Sequence, residues 1–141
     1  MINWEKDFCD LLDIRAQYSI STSAETLVML RNSVKNNLYY IFKNEFSRPI
    51  GYLAWARINK ESFLELSRST KMPVYEYEWD EGNIIVLTDV LHKSQSVFQL
   101  RGELVKIFHR ARIVVLANYS HLSIYLLKRN RYTLKNRIQR L

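Results

Sequence analysis

Asp89 and His92, three residues apart, are the pair in this sequence whose types and spacing suit proton transfer. A carboxylate that orients or charges an imidazole is the minimum apparatus for general base catalysis. They follow Ile84-Ile85-Val86-Leu87, and a run of large apolar residues without alternation marks a strand buried on both faces. Groups at the carboxyl end of such a strand face the crevice where open α/β sheets bind ligands. The plainer alternative is that Asp89 caps a helix or accepts loop hydrogen bonds, and spacing alone does not choose between them. His109 and His121 lie in basic surroundings and read as ordinary surface or capping residues.

Other chemistries lack their signatures. There is no phosphate-binding P-loop, dinucleotide glycine fingerprint, nucleophile elbow or paired metal-ligand spacing. Cys9 is the single cysteine, so neither an internal disulfide nor a cysteine metal site is expected, and it reads as a small apolar residue of the first helix. No metal and no tightly bound cofactor are expected.

Several elements must position the pair. Trp4, Phe8, Leu11 and Leu12 recur at helical spacing and read as core. Thr22 with Glu25 fits a capping box, which starts a second helix near Ser23 with Leu27, Leu30 and Val34 as its stripe and a stop at Asn36-Asn37. Residues 38–42 and 50–58 read as an antiparallel hairpin with Pro49 at the start of its second strand, since proline cannot donate to a ladder. Gly51, Ala54 and Ala56 either admit a backbone or ligand at close range or make room for neighbouring aromatics. Asn59 can cap a short helix. Residues 74–79 alternate strictly, with Tyr75, Tyr77 and Trp79 on one face, and predict a half-exposed strand. Gly82 suits a positive-φ turn position before the buried strand. Ser96 with Gln99 predicts a helix lined by Val97, Leu100, Leu104, Ile107 and Phe108, with Gly102 inside it. Residues 113–117 then form a strand parallel to the 84–89 strand through a right-handed crossover. Ser120 is expected to cap a helix through Leu127, and the last ten residues stay open between strand, helix and frayed end.

The 141 residues predict one domain, large enough to bury roughly two-thirds of the unfolded chain's surface. The composition, with 48% hydrophobic residues, three Gly and two Pro, is that of a globular fold without linkers or repeats. The N-terminus lacks the pattern of a secretory signal and no apolar run reaches the about 18 residues of a membrane span, so cytoplasm is the expected location and no transmembrane segment is expected. Residues 1–100 carry 11 Lys/Arg against 13 Asp/Glu, whereas residues 101–141 carry 10 against Glu103 alone. This lopsided field is either a solvated face or attracts an acidic protein, a phosphate-bearing cofactor, a membrane surface or nucleic acid.

Pro49-Ile50-Gly51-Tyr52-Leu53-Ala54-Trp55-Ala56 resembles the Pro-Val-x-Tyr-x-Ser-Trp-Ala segment of the toxin-activating lysine acyltransferases, which fatty-acylate repeat-in-toxin protoxins. Trp79-x-x-Gly82, followed six residues on by Thr88-Asp89, resembles the same family's Trp-x-x-Gly strand ending in a catalytic aspartate. The resemblance covers roughly residues 38–118 and implies an α+β, N-acetyltransferase-like central mixed sheet flanked by helices, with residues 1–141 one acyltransferase-like domain. It also implies transfer of an acyl group from an acyl carrier protein thioester, as co-substrate, to a lysine side chain of a protoxin, with Asp89 catalytic. The family's histidine follows a Ser-Pro pair before the second helix. Here residues 18–23 contain neither Pro nor His. Either His92 substitutes, another residue such as Tyr18 serves, or the usual activity is lost. Small relatives also modify peptide bacteriocins, so maturation of a microcin at its C-terminus is an alternative. A homodimer, or a complex with a neighbouring maturation protein, would be in keeping with it.

Other classes compete. A scaffold that retains the fold without turnover would bind carrier protein only. Nucleic acid is not the expected partner, because Glu76 and Glu78 alternate with the aromatic residues that would stack on bases. An acetyl coenzyme A enzyme is disfavoured by the lack of a glycine-rich loop between Asp89 and Val97.

Overall fold

The computed structural model describes residues 3–69, 72, 76–92, 101–117 and 121–139. They form an α+β fold in which a six-stranded mixed sheet is flanked by helices. In chain order the elements are α1 (Trp4–Gln17), α2 (Ala24–Lys35), β1 (Tyr39–Lys43), β2 (Pro49–Ile58), α3 (Lys60–Ser69), β3 (Ile84–His92), α4 (Arg101–Ile107), β4 (Ile113–Ala117), β5 (His121–Lys128) and β6 (Arg131–Gln139). The strands lie side by side in sequence order, and every neighbouring pair is antiparallel except β3 and β4. That parallel pair is the expected crossover, made because α4 intervenes and returns the chain to the same end of the sheet.

Helices α1, α2 and α3 begin where side chains satisfy orphaned backbone donors. Asn3 Oδ1 accepts from the Lys6 amide at 3.2 Å and Asn59 Oδ1 from the Ser62 amide at 2.8 Å. For α2 the capping residue is Ser23, whose Oγ accepts from the Thr26 amide at 3.1 Å, one position after the expected Thr22. The reason is that the Thr22 hydroxyl is already occupied by the Arg15 guanidinium. The helix stops at Asn36, and Asn37 takes a left-handed φ of 59° that its short polar side chain tolerates.

Packing divides between the two sides of the sheet. The larger cluster joins Phe42, Leu53, Trp55, Leu87 and Val115 to Leu104 and Phe108 at the α4 side. The smaller one holds Tyr52 and Ala54 against Leu11 and Ile14 of α1 and Leu30 and Val34 of α2. Gly51, opposite His92, is small for its neighbouring strand: a Cβ there would stand 2.5 Å from the Leu91 carbonyl oxygen.

Three expectations are corrected. The segment before Gly82 is not a strand: Glu76–Trp79 is a short 3₁₀ turn, and residues 73–75 lie outside the described residues. Burial overrides the alternation, because the fully buried Trp79 indole donates to Ser33 Oγ at 2.9 Å and the Trp55 carbonyl at 3.2 Å. Asp80 retains only an isolated bridge to Arg57. Gly82 does not have positive φ; it is needed because a Cβ would fall 1.9 Å from the Ile58 carbonyl oxygen. The expected helix ending at Leu127 is strand β5, and the last ten residues mostly continue as β6, closing a hairpin. Ser96, Gln99, Val97, Leu100 and Ser120 lie outside the described residues. Among the described residues no helix is long and apolar enough to cross a membrane.

Candidate functional site

A bulge in the pairing of β2 with β3 sets the direction of Asp89. Leu87 and Asp89 are two apart and would share a face of a regular strand. The register slips at Thr88, so Leu87 stands opposite Trp55 and Asp89 opposite Ala54, on the two sides of the sheet. The Thr88 hydroxyl donates to the Ala54 carbonyl at 3.1 Å and holds the bulge. The carboxylate of Asp89 is thereby turned toward α1.

Arg15, in the last turn of α1, meets it there. After the helix, Ser19 adopts a φ of 56° and the Ile20 amide returns to the Arg15 carbonyl at 3.0 Å, folding residues 20–22 back over the guanidinium. Arg15 donates from Nη1 to Asp89 Oδ2 at 2.6 Å and to the Tyr52 hydroxyl at 3.1 Å, from Nε to Thr22 Oγ1 at 2.8 Å, and from Nη2 to the Ser21 carbonyl at 2.8 Å. The Tyr52 hydroxyl donates to the same Asp89 oxygen at 2.5 Å. Both contacts therefore fall on Oδ2. Among the described residues no donor meets Oδ1, and the Asp89 side chain is 22% exposed.

The electrostatics follow from this closure. Burial, then the Asp89 charge and hydrogen bond, push the Tyr52 hydroxyl well above the usual tyrosine pKa, so it stays a donor. Burial works against the Arg15 charge, but the Tyr52 and Asp89 contacts outweigh it and raise its pKa. The result is a carboxylate fixed on one oxygen by two donors, with the second oxygen met by none among the described residues.

His92 is not part of this arrangement. It lies opposite Gly51, on the other side of the sheet from Asp89, with its ring edge-on to Phe42 at 4.8 Å. The expectation that Asp89 orients His92 is corrected: strand alternation puts residues three apart on opposite faces. Both also stand within β3, which runs to His92, and not beyond its end. The hydroxyl of Tyr18 donates to the Ile50 carbonyl at 2.8 Å. His109 lies in the turn after α4, exposed with a φ of 50°, and lines a separate pocket of about 480 Å³ with Tyr40, Trp55 and Lys106. His121 begins β5. Cys9 is exposed and so is not in the apolar stripe of α1.

Arg15 and Tyr52 were missed as site residues by reading the sequence for acids and histidines. A signal existed: Arg15 extends the stripe Trp4, Phe8, Leu11 by four residues, and a cation on a buried face demands a counterion. Among the described residues no three potential metal ligands gather. Compared with protein-family models and with curated proteins, the chain matches none.

Proposed function

We propose that the protein is an acyltransferase that moves an acyl group from acyl carrier protein to an amine, with Asp89 as the base. The observation that carries this reading is the one-sided grip on Asp89, with Oδ2 held by Arg15 and Tyr52 and Oδ1 met by no donor among the described residues. A lysine amine is about 99.9% protonated at neutral pH, so it must lose a proton before attacking a thioester. That first proton leaves to solvent; as the neutral nitrogen then adds to the thioester carbonyl, Asp89 Oδ1 takes a second proton from the attacking nitrogen. The C–S bond then breaks, and the departing thiolate recovers the proton, so the carboxylate ends as it began. Arg15 and Tyr52 act as positioning residues, and His92 has no part in the step. No metal or tightly bound cofactor enters it.

Two further features support the reading. Pairing of β3 with β4 ends at Leu87 and Leu116, and among the described residues β3 beyond that point keeps only β2 as a partner. An extended arm with amides, such as phosphopantetheine, can hydrogen-bond to a strand edge of this kind. Residues 21 and 22, in the segment where the resembled family carries its histidine, lie against Arg15 beside Asp89. The proposed acceptor is a lysine of a protoxin, and the proposed compartment is the cytoplasm. The alternative acceptor is a bacteriocin peptide.

The ion pair itself favours a second reading, in which Arg15 neutralises Asp89 for structural reasons and the protein binds carrier without turnover. Transfer from acyl-loaded carrier proteins to candidate acceptors, followed by mass spectrometry, separates the two. Per folded molecule, Asp89→Asn should lower the rate by about 10²–10⁴-fold, the range of general base catalysis, while His92→Ala should leave it unchanged. Carrier binding without a mass shift on any acceptor would establish the scaffold; an undiminished Asp89→Asn rate would remove the site.

A further inference from the structure

We infer that the outer edge of β6 is a docking site for an extended acidic peptide segment, which adds to the sheet as a seventh strand. β6 ends the strand order, and along its nine residues β5 is its one partner among the described residues. Alternate backbone N–H and C=O groups of an edge strand point away from the sheet and can pair with an incoming chain. The side chains there are open to solvent: Arg131, Lys135, Asn136, Arg137 and Gln139 are exposed and Leu134 is 47% exposed.

Charge chooses the partner. From residue 104 to residue 141 the sequence holds no Asp or Glu. Among the described residues Arg131, Lys135 and Arg137 make no ion pair. A second copy pairing antiparallel about the middle of β6 would set Lys135 near its own image, and like charges opposed across strands are destabilising. The pairing of β6 with β5 slips at Lys135, so Arg137 and Leu134 share one face of the sheet and Arg131 lies on the other. An acidic strand, unlike a second copy, places a carboxylate opposite Arg137 and beside the bulged Lys135. The opposite sheet edge, β1, is five residues long and carries Lys43 as its one cation, so it lacks both the length and the field. The inference is independent of acyl transfer: three strand spacings of about 4.8 Å separate β6 from β3, and the test below does not involve turnover.

The test uses the full chain and a fluorescein-labelled nine-residue peptide of alternating Glu and Val. A second peptide, N-methylated at its five central residues, keeps the charge and length but loses the donors on both edges. Anisotropy should show binding that weakens as salt rises, at least tenfold weaker for the methylated peptide, and at least tenfold weaker for the Lys135→Glu/Arg137→Glu protein. The peptide should slow hydrogen exchange of β6 amides and not of β1 amides. Equal binding of the methylated peptide would mean attraction by charge alone and overturn strand addition. Protection at β1 would move the site and overturn the assignment to β6. A dimer in sedimentation that the peptide does not dissociate, or displacement of the peptide by a tenfold lower concentration of oligonucleotide, would give the edge to another partner and overturn the proposal.

Discussion

Asp89 was legible in the sequence as a carboxylate near a strand's carboxyl end, but its partner was not, because linear spacing does not report which face a bulged strand presents. Arg15 lies 74 residues away and reaches Asp89 only through the fold of α1 against β2 and β3. The pair is asymmetric in exposure, with the Arg15 side chain 8% and the Asp89 side chain 22% exposed. Removing the less buried member therefore leaves the more buried charge alone. Asp89→Asn should lower unfolding free energy by about 3 kcal/mol, the scale for stripping a buried charge of its counterion. Tyr52→Phe, which removes a hydroxyl but no charge, should cost about 1 kcal/mol. A double-mutant cycle between Arg15→Met and Asp89→Asn, read by urea denaturation, should show coupling well above that of an exposed pair such as Lys6–Asp10. Additivity within 0.3 kcal/mol, about the scatter of independent sites, would show that the contact contributes nothing to the fold.

At the scale of elements, the Asn59 cap and the buried strand were readable, since Asn59 and the Ile84–Leu87 run each announce a local physical need, whereas the cap of α2 falls on Ser23 and not on the expected Thr22. The C-terminal hairpin was not. Lys128-Arg129-Asn130-Arg131 reads as the basic end of a helix, whereas Arg129 and Asn130 take φ values of 49° and 66° and form the two-residue connection between β5 and β6. Both positions being left-handed fits a type I′ turn, whose usual signal is Asn-Gly. Arginine gives no such signal, and its Cβ is strained there. Asn130 is well suited to its place and accepts from Arg110 Nη1 at 2.8 Å. Arg129→Asn should accordingly stabilise the protein by about 0.5 kcal/mol, within the range of turn corrections that relieve a disfavoured φ. A higher urea midpoint with unchanged slope checks it, and a lower midpoint would mean that the Arg129 side chain is needed elsewhere. The 3₁₀ turn at Trp79 was hidden for a different reason. Period-two alternation is a statement about sheet faces, and the buried hydrogen bonds of one indole outweighed it.

For the molecule as a whole, the α+β class and the parallel crossover were accessible from the sequence because they rest on long apolar segments and chain connectivity. The distribution of tyrosines across both sides of the sheet was not, and it sets how the fold responds to alkali. Tyr52 and Tyr39 are held well above the ordinary tyrosine pKa, chiefly by burial and then by Asp89 and Asp7 respectively. Tyr132, whose hydroxyl donates to the Ala111 carbonyl at 2.7 Å, is pushed by burial up to about 12. In the unfolded chain each would ionise near the ordinary tyrosine value of 10.0. Between those values the folded state keeps a proton that the unfolded state has lost, so stability falls as pH rises. The contribution is intact below pH 10 and is lost progressively above it, through about 12 for Tyr132 and beyond for the other two. Urea midpoints should hold steady up to about pH 9.5 and then decline. In parallel, absorbance at the tyrosinate band should show part of the nine tyrosines ionising only as the protein unfolds. A single titration of all nine near the ordinary pKa, with flat midpoints across the same range, would mean that these three hydroxyls are not enclosed as the sheet and its helices place them.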